Sequence, residues 1–282
     1  MSVEAVWRDW PFLVGFGGAG ASGCVHGHMP RQPRKELAGG IHHVTARAPY
    51  GRVLFVDDED RRMYAALLAR AVEQSQWELL SHCQMTNHVH LLIRTPKPNL
   101  GDGMKAMHER FANHVNRRHE QHGHVFGSRF ASRLVLDENH LLACLRYIAR
   151  NPVEAGMCAT AAEWPWSAHR ELLGLAGDDR SVAVQATLEL LGPTTGAGRI
   201  AYQQLMAADT EGLVRRWALA GSDRWMPAAI DVLGLTVDDL VRILGIRRGA
   251  AVRRLRSARA TGLTRPSAVM EAAQHDLPPA HP

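Results

Sequence analysis

The stretch GGIHHVTARA (39–48) begins with a glycine pair and then alternates apolar and polar residues, which predicts a strand. DDEDRRMYAALLARAVEQSQW (57–77) changes to a helical period through Met63, Leu67, Ala71 and Gln74, and its acidic first turn suits a helix N-terminus. ELLSHCQ (78–84) and HVHLLIRT (88–95) read as two strands joined by the short MTN turn. NLGDGMKAMHERFANHVNRRHEQHG (99–123) puts Met104, Met107, Phe111 and Val115 on one stripe of a second helix, with Gly123 as its stop. SRFASRLVLD (128–137) is a fourth strand. ENHLLACLRYIARN (138–151) is a third helix, capped by Asp137 and ended by Pro152. The order β-α-β-β-α-β followed by a helix predicts an α+β, ferredoxin-like (RRM-like) antiparallel sheet with helices on one face. Many nucleic-acid binders use the open face of such a sheet.

After Gly174 the pattern changes. Residues 175–220 read as short helices with turn signals at GPTTGAG, and TVDDLVRILGIRRGAAVRRLRSARATG, from Thr236, reads as helix, turn, helix. Leu240, Ile243 and Leu244 are the apolar positions before that turn; Val252 and Leu255 follow it. The predicted organisation is an N-terminal extension (1–28, disordered or preceding a native start at Met29), an α+β domain (29–174), an all-α helix-turn-helix region (175–265) and a disordered tail (266–282).

Two features of the pattern carry chemistry. In QMTNHVHLLIRT (84–95), side chains alternate across the strand, so His88 and His90 share a face with Leu92 while Val89, Leu91 and Ile93 take the other. Two imidazoles so placed can hold one metal ion, although on this spacing alone two partly buried histidines bonded to their neighbours are the more common arrangement. In the third helix, Tyr147 and Asn151 are four residues apart and share a face with Ala143 and His140, displaced from the stripe of Leu141, Leu145 and Ile148. An amide oxygen near the helix end can supply a hard ligand. Two imidazoles and one such oxygen would leave positions on a divalent ion for substrate oxygens.

Charge sharpens the choice of partner. The net charge over 282 residues is only +5, but residues 94–133 hold eight Lys/Arg against three Asp/Glu, and 242–265 hold eight Arg and no acid. Two basic blocks point to a polyanion. Lys105, Arg117, Arg118, Arg129 and Arg133 in the first block, and Arg247, Arg248, Arg253, Arg254 and Arg256 in the second, are the candidate phosphate contacts. Four scattered cysteines lack paired spacing, which argues against a disulfide framework and a CxxC zinc site and for a reducing, cytoplasmic setting. The sequence offers no membrane span and no P-loop for a nucleotide cofactor.

The segments MPRQPRKELAGGIHHVTAR, FVDDEDRRMYAALL, CQMTNHVHLLIRTPKPNL, GHVFGSRFASRLVLDENHLLACLRYIARNPVEAG and WPWSAHRELLG, in that order over residues 29–174, resemble the REP-associated tyrosine transposases of the HUH superfamily of single-tyrosine transposases. The resemblance implies that His88 and His90 bind a metal, Mg²⁺ or Mn²⁺, that Asn151 is a third ligand, and that Tyr147 is the nucleophile. It also implies cleavage and rejoining of single-stranded DNA beside hairpins through a 5′-phosphotyrosine. His43 stands where family members often carry an aromatic, and RAPYG (47–51) replaces an RGN-like turn; neither is expected to carry the chemistry. WPWS (164–167) is expected to pack. The competing readings are a non-cleaving nucleic-acid binder of the same fold and a regulator acting through the helix-turn-helix.

Overall fold

The computed structural model describes residues 36–175, 181–219, 223, 225–231 and 235–260. The expectations for residues 1–28 and 266–282 lie outside the described residues. The described residues all fall within one compact unit.

Four strands, β1 (Gly40–Arg47), β2 (Glu78–Gln84), β3 (His88–Thr95) and β4 (Ala131–Leu134), form an antiparallel sheet in the order β2-β3-β1-β4. This is the expected α+β, ferredoxin-like arrangement. The central strand β3 is buried at every position but Arg94, which fits its near-continuous apolar run. β4 is shorter than the sequence predicts, with Ala131–Leu134 paired to His42–Thr45 of β1.

Two helices, α1 (Asp58–Ser75) and α2 (Leu100–Arg118), cover the face carrying Val44, Val89, Leu91 and Ile93. Asp57 caps α1 by accepting from the Glu59 and Asp60 amides. The buried stripe of α1 is Tyr64, Leu68 and Ala71, with Met63 and Leu67 only partly buried, so the face is turned from the one the period suggested. Tyr64 stands edge-on to Phe111 at 5.0 Å and to Phe55 at 5.5 Å, and these rings draw the helix round. On α2 the predicted stripe of Met104, Met107, Phe111 and Val115 is buried. Gly103 must lack a side chain here: a Cβ would come within 2.4 Å of the Trp77 ring. α2 stops at Arg118, before Gly123, which adopts a left-handed φ of 97° in the following loop.

The two helices are tied by a buried carboxylate. Asp60 is fully buried and accepts from the Val56 amide, Arg118 and His119, each at 2.9 Å. Arg118 also reaches Asp57 and Glu59. Removing this carboxylate leaves the Val56 amide and His119 without their acceptor, while Arg118 keeps Asp57 and Glu59. Asp60→Ala should therefore lower unfolding stability by about 1–3 kcal/mol, seen as a lower midpoint in urea; an unchanged midpoint would show that the network contributes nothing.

Helix α3 (Glu138–Glu154) lies against the other face of the sheet. Asp137 caps it through the His140 amide, 2.8 Å away, as predicted. It does not stop before Pro152. The helix runs on to Glu154, because the missing Pro152 N–H falls in the last turn, where little of the ladder remains to be broken. The Met157 amide then bonds the Pro152 carbonyl.

The chain beyond Gly174 packs on this layer. Helix α4 (His169–Leu173) is followed by α5 (Val184–Glu189), α6 (Thr195–Ala207), α7 (Thr210–Leu219) and α8 (Trp225–Asp231). Thr187 Oγ1 donates to the Leu80 carbonyl at 3.0 Å, and Arg146 of α3 donates to the Leu205 carbonyl at 2.8 Å. His169 Nδ1 pairs with the Tyr202 hydroxyl at 2.8 Å. The sheet face expected to stay open is thus roofed by α3, and α3 is roofed by α6 and α8.

The last pair, α9 (Val237–Leu244) and α10 (Arg248–Ala260), is joined by a turn through Gly245 at φ 65°. Thr236 and Asp239 form a capping box at the start of α9. Leu240, Ile243 and Leu255 are buried as expected, while Val252 is half-buried and Ala251 takes its core position. Among the described residues no helix is long and apolar enough to cross a membrane.

Candidate active site

The site lies between β1, β3 and α3. Antiparallel register sets Arg47 of β1 opposite His88, Thr45 opposite His90 and His43 opposite Leu92. Opposed residues share a face, so Arg47, Thr45 and His43 line the same surface as the two histidines. Contacts bear this out: His90 Nδ1 lies 3.1 Å from His43 Nε2 and 3.2 Å from Thr45 Oγ1.

Tyr147 descends onto this surface from α3. Its ring stands edge-on to His90 at a centroid distance of 5.1 Å and to His43 at 6.0 Å. The His88 and His90 rings are 4.8 Å apart and perpendicular. Asn151, one turn on, is buried and its side chain lies beside both His88 and Tyr147. The structure thus brings His88, His90, Tyr147 and Asn151 together. Helical spacing set Tyr147 and Asn151 on a face displaced from the stripe of Leu141, Leu145 and Ile148. Both faces are buried, because α3 is covered on both sides.

Burial governs the electrostatics. It lowers the pKa of His88 to about 3, helped by the Arg47 charge, and that of His43 to about 3, helped by His140 and Arg133. His90 is pushed well below its usual value by burial, then by His88, His43 and Arg47. All three are neutral at pH 7, the form in which an imidazole ligates. Burial raises the Tyr147 phenol, while Asn151 and Arg47 act in the opposite direction.

The donor set fits a metal ion. His88 Nδ1 donates to Asn87 Oδ1 at 2.7 Å, which leaves the lone pair on Nε2. His90 Nε2 is buried without a hydrogen-bond partner. Placing the His90 proton on Nδ1, toward Thr45 and His43, frees Nε2 as a ligand. Among the described residues no three His, Cys, Asp or Glu side chains form a ligand set, so a third protein ligand must be of another kind, and the Asn151 amide oxygen is adjacent. The Tyr147 hydroxyl is also buried and makes no hydrogen bond of normal geometry.

The candidate phosphate contacts do not gather in one place. Arg117 and Arg129 are exposed, and Lys105 is exposed with Glu109 at 3.9 Å. Arg118 is engaged by Asp57, Glu59 and Asp60, so its charge serves the α1–α2 tie. Arg133, opposite His43, is half-buried at the far end of the site face. Arg247, Arg253 and Arg256 are exposed, whereas Arg248 pairs with Asp238 and Arg254 bonds Asp223 at 2.7 Å. Sequence reading missed Thr45 and the setting of His43 and Arg47. Laying GIHHVTAR antiparallel to HVHLLIRT could have found them, but the register needed for that was not fixed by a short turn.

Fold and site together define an α+β domain in which one buried tyrosine faces a pair of strand histidines. Residues 39–151 match the model of the IS200-like transposases. A solved structure, that of a REP-associated tyrosine transposase bound to a REP hairpin, is similar over 55% of this chain and 93% of its own, at 18% identity and a TM-score of 0.46. No curated protein matches the chain.

Proposed function

We propose that this protein is a DNA strand-transferase that cleaves and rejoins single-stranded DNA near hairpins through a 5′-phosphotyrosine. The observation that carries this reading is the packing of Tyr147 onto His90, with His88 and Asn151 beside it. The Tyr147 phenol gives up its proton as its oxygen attacks phosphorus, the P–O bond to the 3′-oxygen breaks, and that oxygen takes up a proton and leaves as a hydroxyl, so no net proton is consumed. One phosphodiester-type bond replaces another, so no ATP is required, and the freed 3′-hydroxyl can reverse the step. His88 and His90 through Nε2, and Asn151 through its amide oxygen, would hold Mg²⁺ or Mn²⁺. When bound, the ion would withdraw charge from a phosphate oxygen. Thr45 and His43 fix the His90 ring, and Asn87 fixes His88. The sheet-and-helix walls exclude water from the phenol.

Purified full-length protein incubated with a labelled hairpin-flanked single strand should give a covalent adduct on a denaturing gel; its absence across metals and hairpins would refute the reading. Adduct formation should be lost in EDTA. His88→Ala and His90→Ala should each lose it too, and each should weaken Mn²⁺ binding by roughly 10–100-fold, measured by electron paramagnetic resonance. Undiminished Mn²⁺ affinity in both variants would remove the histidines as ligands.

The exposed Arg247, Arg253 and Arg256 on or before α10 fit a role in holding duplex or hairpin phosphates, as the second helix of a helix-turn-helix does. This extension would add affinity rather than chemistry.

A further inference from the structure

Arg47 was set aside with the RAPYG turn, yet the register puts it on the site face. It is the last residue of β1 and stands opposite His88, two positions beyond Thr45, which touches His90. Its backbone is anchored: the Gly127 amide donates to its carbonyl at 2.9 Å, and the next residue, Ala48, bonds the Asn87 carbonyl at 2.9 Å. The side chain is half-buried. Its charge acts on Tyr147, His88 and His90, and Tyr147 in turn acts on it. The other cation on this face, Arg133, stands opposite His43 and acts on His43 and His140, at the opposite end from His88. With the three site imidazoles neutral, Arg47 is the guanidinium nearest in register to the histidine pair.

We propose that Arg47 is a catalytic residue that grips a non-bridging oxygen of the scissile phosphate while Tyr147 attacks. A guanidinium presents a planar fork matched to phosphate, and a cation in a water-poor site stabilises the charge that grows on a crowded phosphorus far more than it would in solvent. The inference rests on the proposed strand-transfer reading. It adds the group that takes up the phosphate charge the metal ligands do not reach, and gives the turn after β1 a function.

The test uses the full chain, Mn²⁺ and a hairpin-flanked oligonucleotide whose cleavage phosphate is normal or is replaced by either diastereomer of a methylphosphonate, which neutralises one chosen oxygen. With the normal phosphate, Arg47→Ala should slow adduct formation on the order of a hundredfold, while affinity for the uncleaved strand and for Mn²⁺ stays within about threefold. Arg47→Lys should recover part of the rate, since it keeps the charge but not the fork. For one methylphosphonate diastereomer, wild type and Arg47→Ala should react at rates within about threefold, because the charge Arg47 would meet is gone. A merely structural arginine would slow all three substrates alike. That outcome, or wild-type rates in Arg47→Ala, overturns the proposal; should Arg47→Ala fail to fold, the same diastereomer comparison with Arg47→Lys decides it. Normal adduct formation by wild type with no Arg47 effect removes this inference alone, whereas a wild type that binds DNA and forms no adduct removes the strand-transfer reading and this inference with it.

Discussion

Tyr147→Phe should form no covalent adduct with single-stranded DNA yet bind the same strand as tightly as wild type. Phenylalanine retains the ring that packs on His90 and His43, so the walls of the site stay in place. It removes a hydroxyl that is buried and lacks a well-formed hydrogen bond. Such a loss changes stability by only about 1 kcal/mol in either direction. The bond to phosphorus needs that oxygen, and no other tyrosine stands in contact with the histidine pair among the described residues. The comparison is an adduct assay, a binding isotherm and a urea melt on the two proteins. An adduct in the variant would sink the nucleophile assignment, and matched affinity and stability would exclude misfolding as the cause of its loss.

A second large effect is expected from acid. The metal-free chain should be stable near pH 7 and unfold on titration toward pH 4. His43 and His88 have folded-state pKa values of about 3, and His140 and His169 of about 4, each lowered first by burial. An unfolded histidine titrates near 6.5. Above that value both states are neutral and these groups cost nothing. Between about 6.5 and 4 the unfolded chain takes up protons that the folded chain refuses, so stability falls with pH. Each fully differential group removes about 1.4 kcal/mol per pH unit. Four together would consume the roughly 5–15 kcal/mol of a typical domain within two to three units. Circular dichroism against pH at fixed low denaturant reads this out. A flat stability from pH 7 to pH 4 would show that these histidines are solvated or already protonated in the fold.

The pattern of apolar residues was enough to find the strands, the helices and their order, because each element declares its own period. β2 and β3 were readable to the residue, since Trp77 and the MTN turn bracket them. What the pattern could not supply was which faces would be covered. α1 turned by a residue to let Tyr64 meet Phe111, a contact forty-seven positions apart in sequence. Pro152 looked like a terminator because the local rule ignores how few helix bonds remain to be lost in a final turn. Spacing placed His88 and His90 on one strand face and Tyr147 and Asn151 on one helix face, while their roles came from the resemblance of the surrounding segments. Their neighbours were not placed by spacing: Thr45, His43 and Arg47 join the site through a register between segments more than forty residues apart. Likewise, no spacing rule could tell that Arg118 would be taken by Asp57 and Asp60, or Arg254 by Asp223.

The outer border of β2 is where self-association by strand addition would ordinarily begin, since an unpaired strand offers a row of amides and carbonyls to any passing chain. Here that row is taken. Val182 bridges Leu79 and Ser167 bridges Cys83, with the Ala183 amide on the Leu79 carbonyl, the Ala168 amide on the His82 carbonyl and the Gln84 amide on the Trp166 carbonyl. Residues 166–168, just before α4, and 182–183, just before α5, supply these bonds, so the sheet is shielded from strand addition at one side. The opposite border is the four-residue β4, too short to template a long intermolecular ladder. Copies of this protein at high concentration can therefore crowd together without their sheets fusing edge to edge.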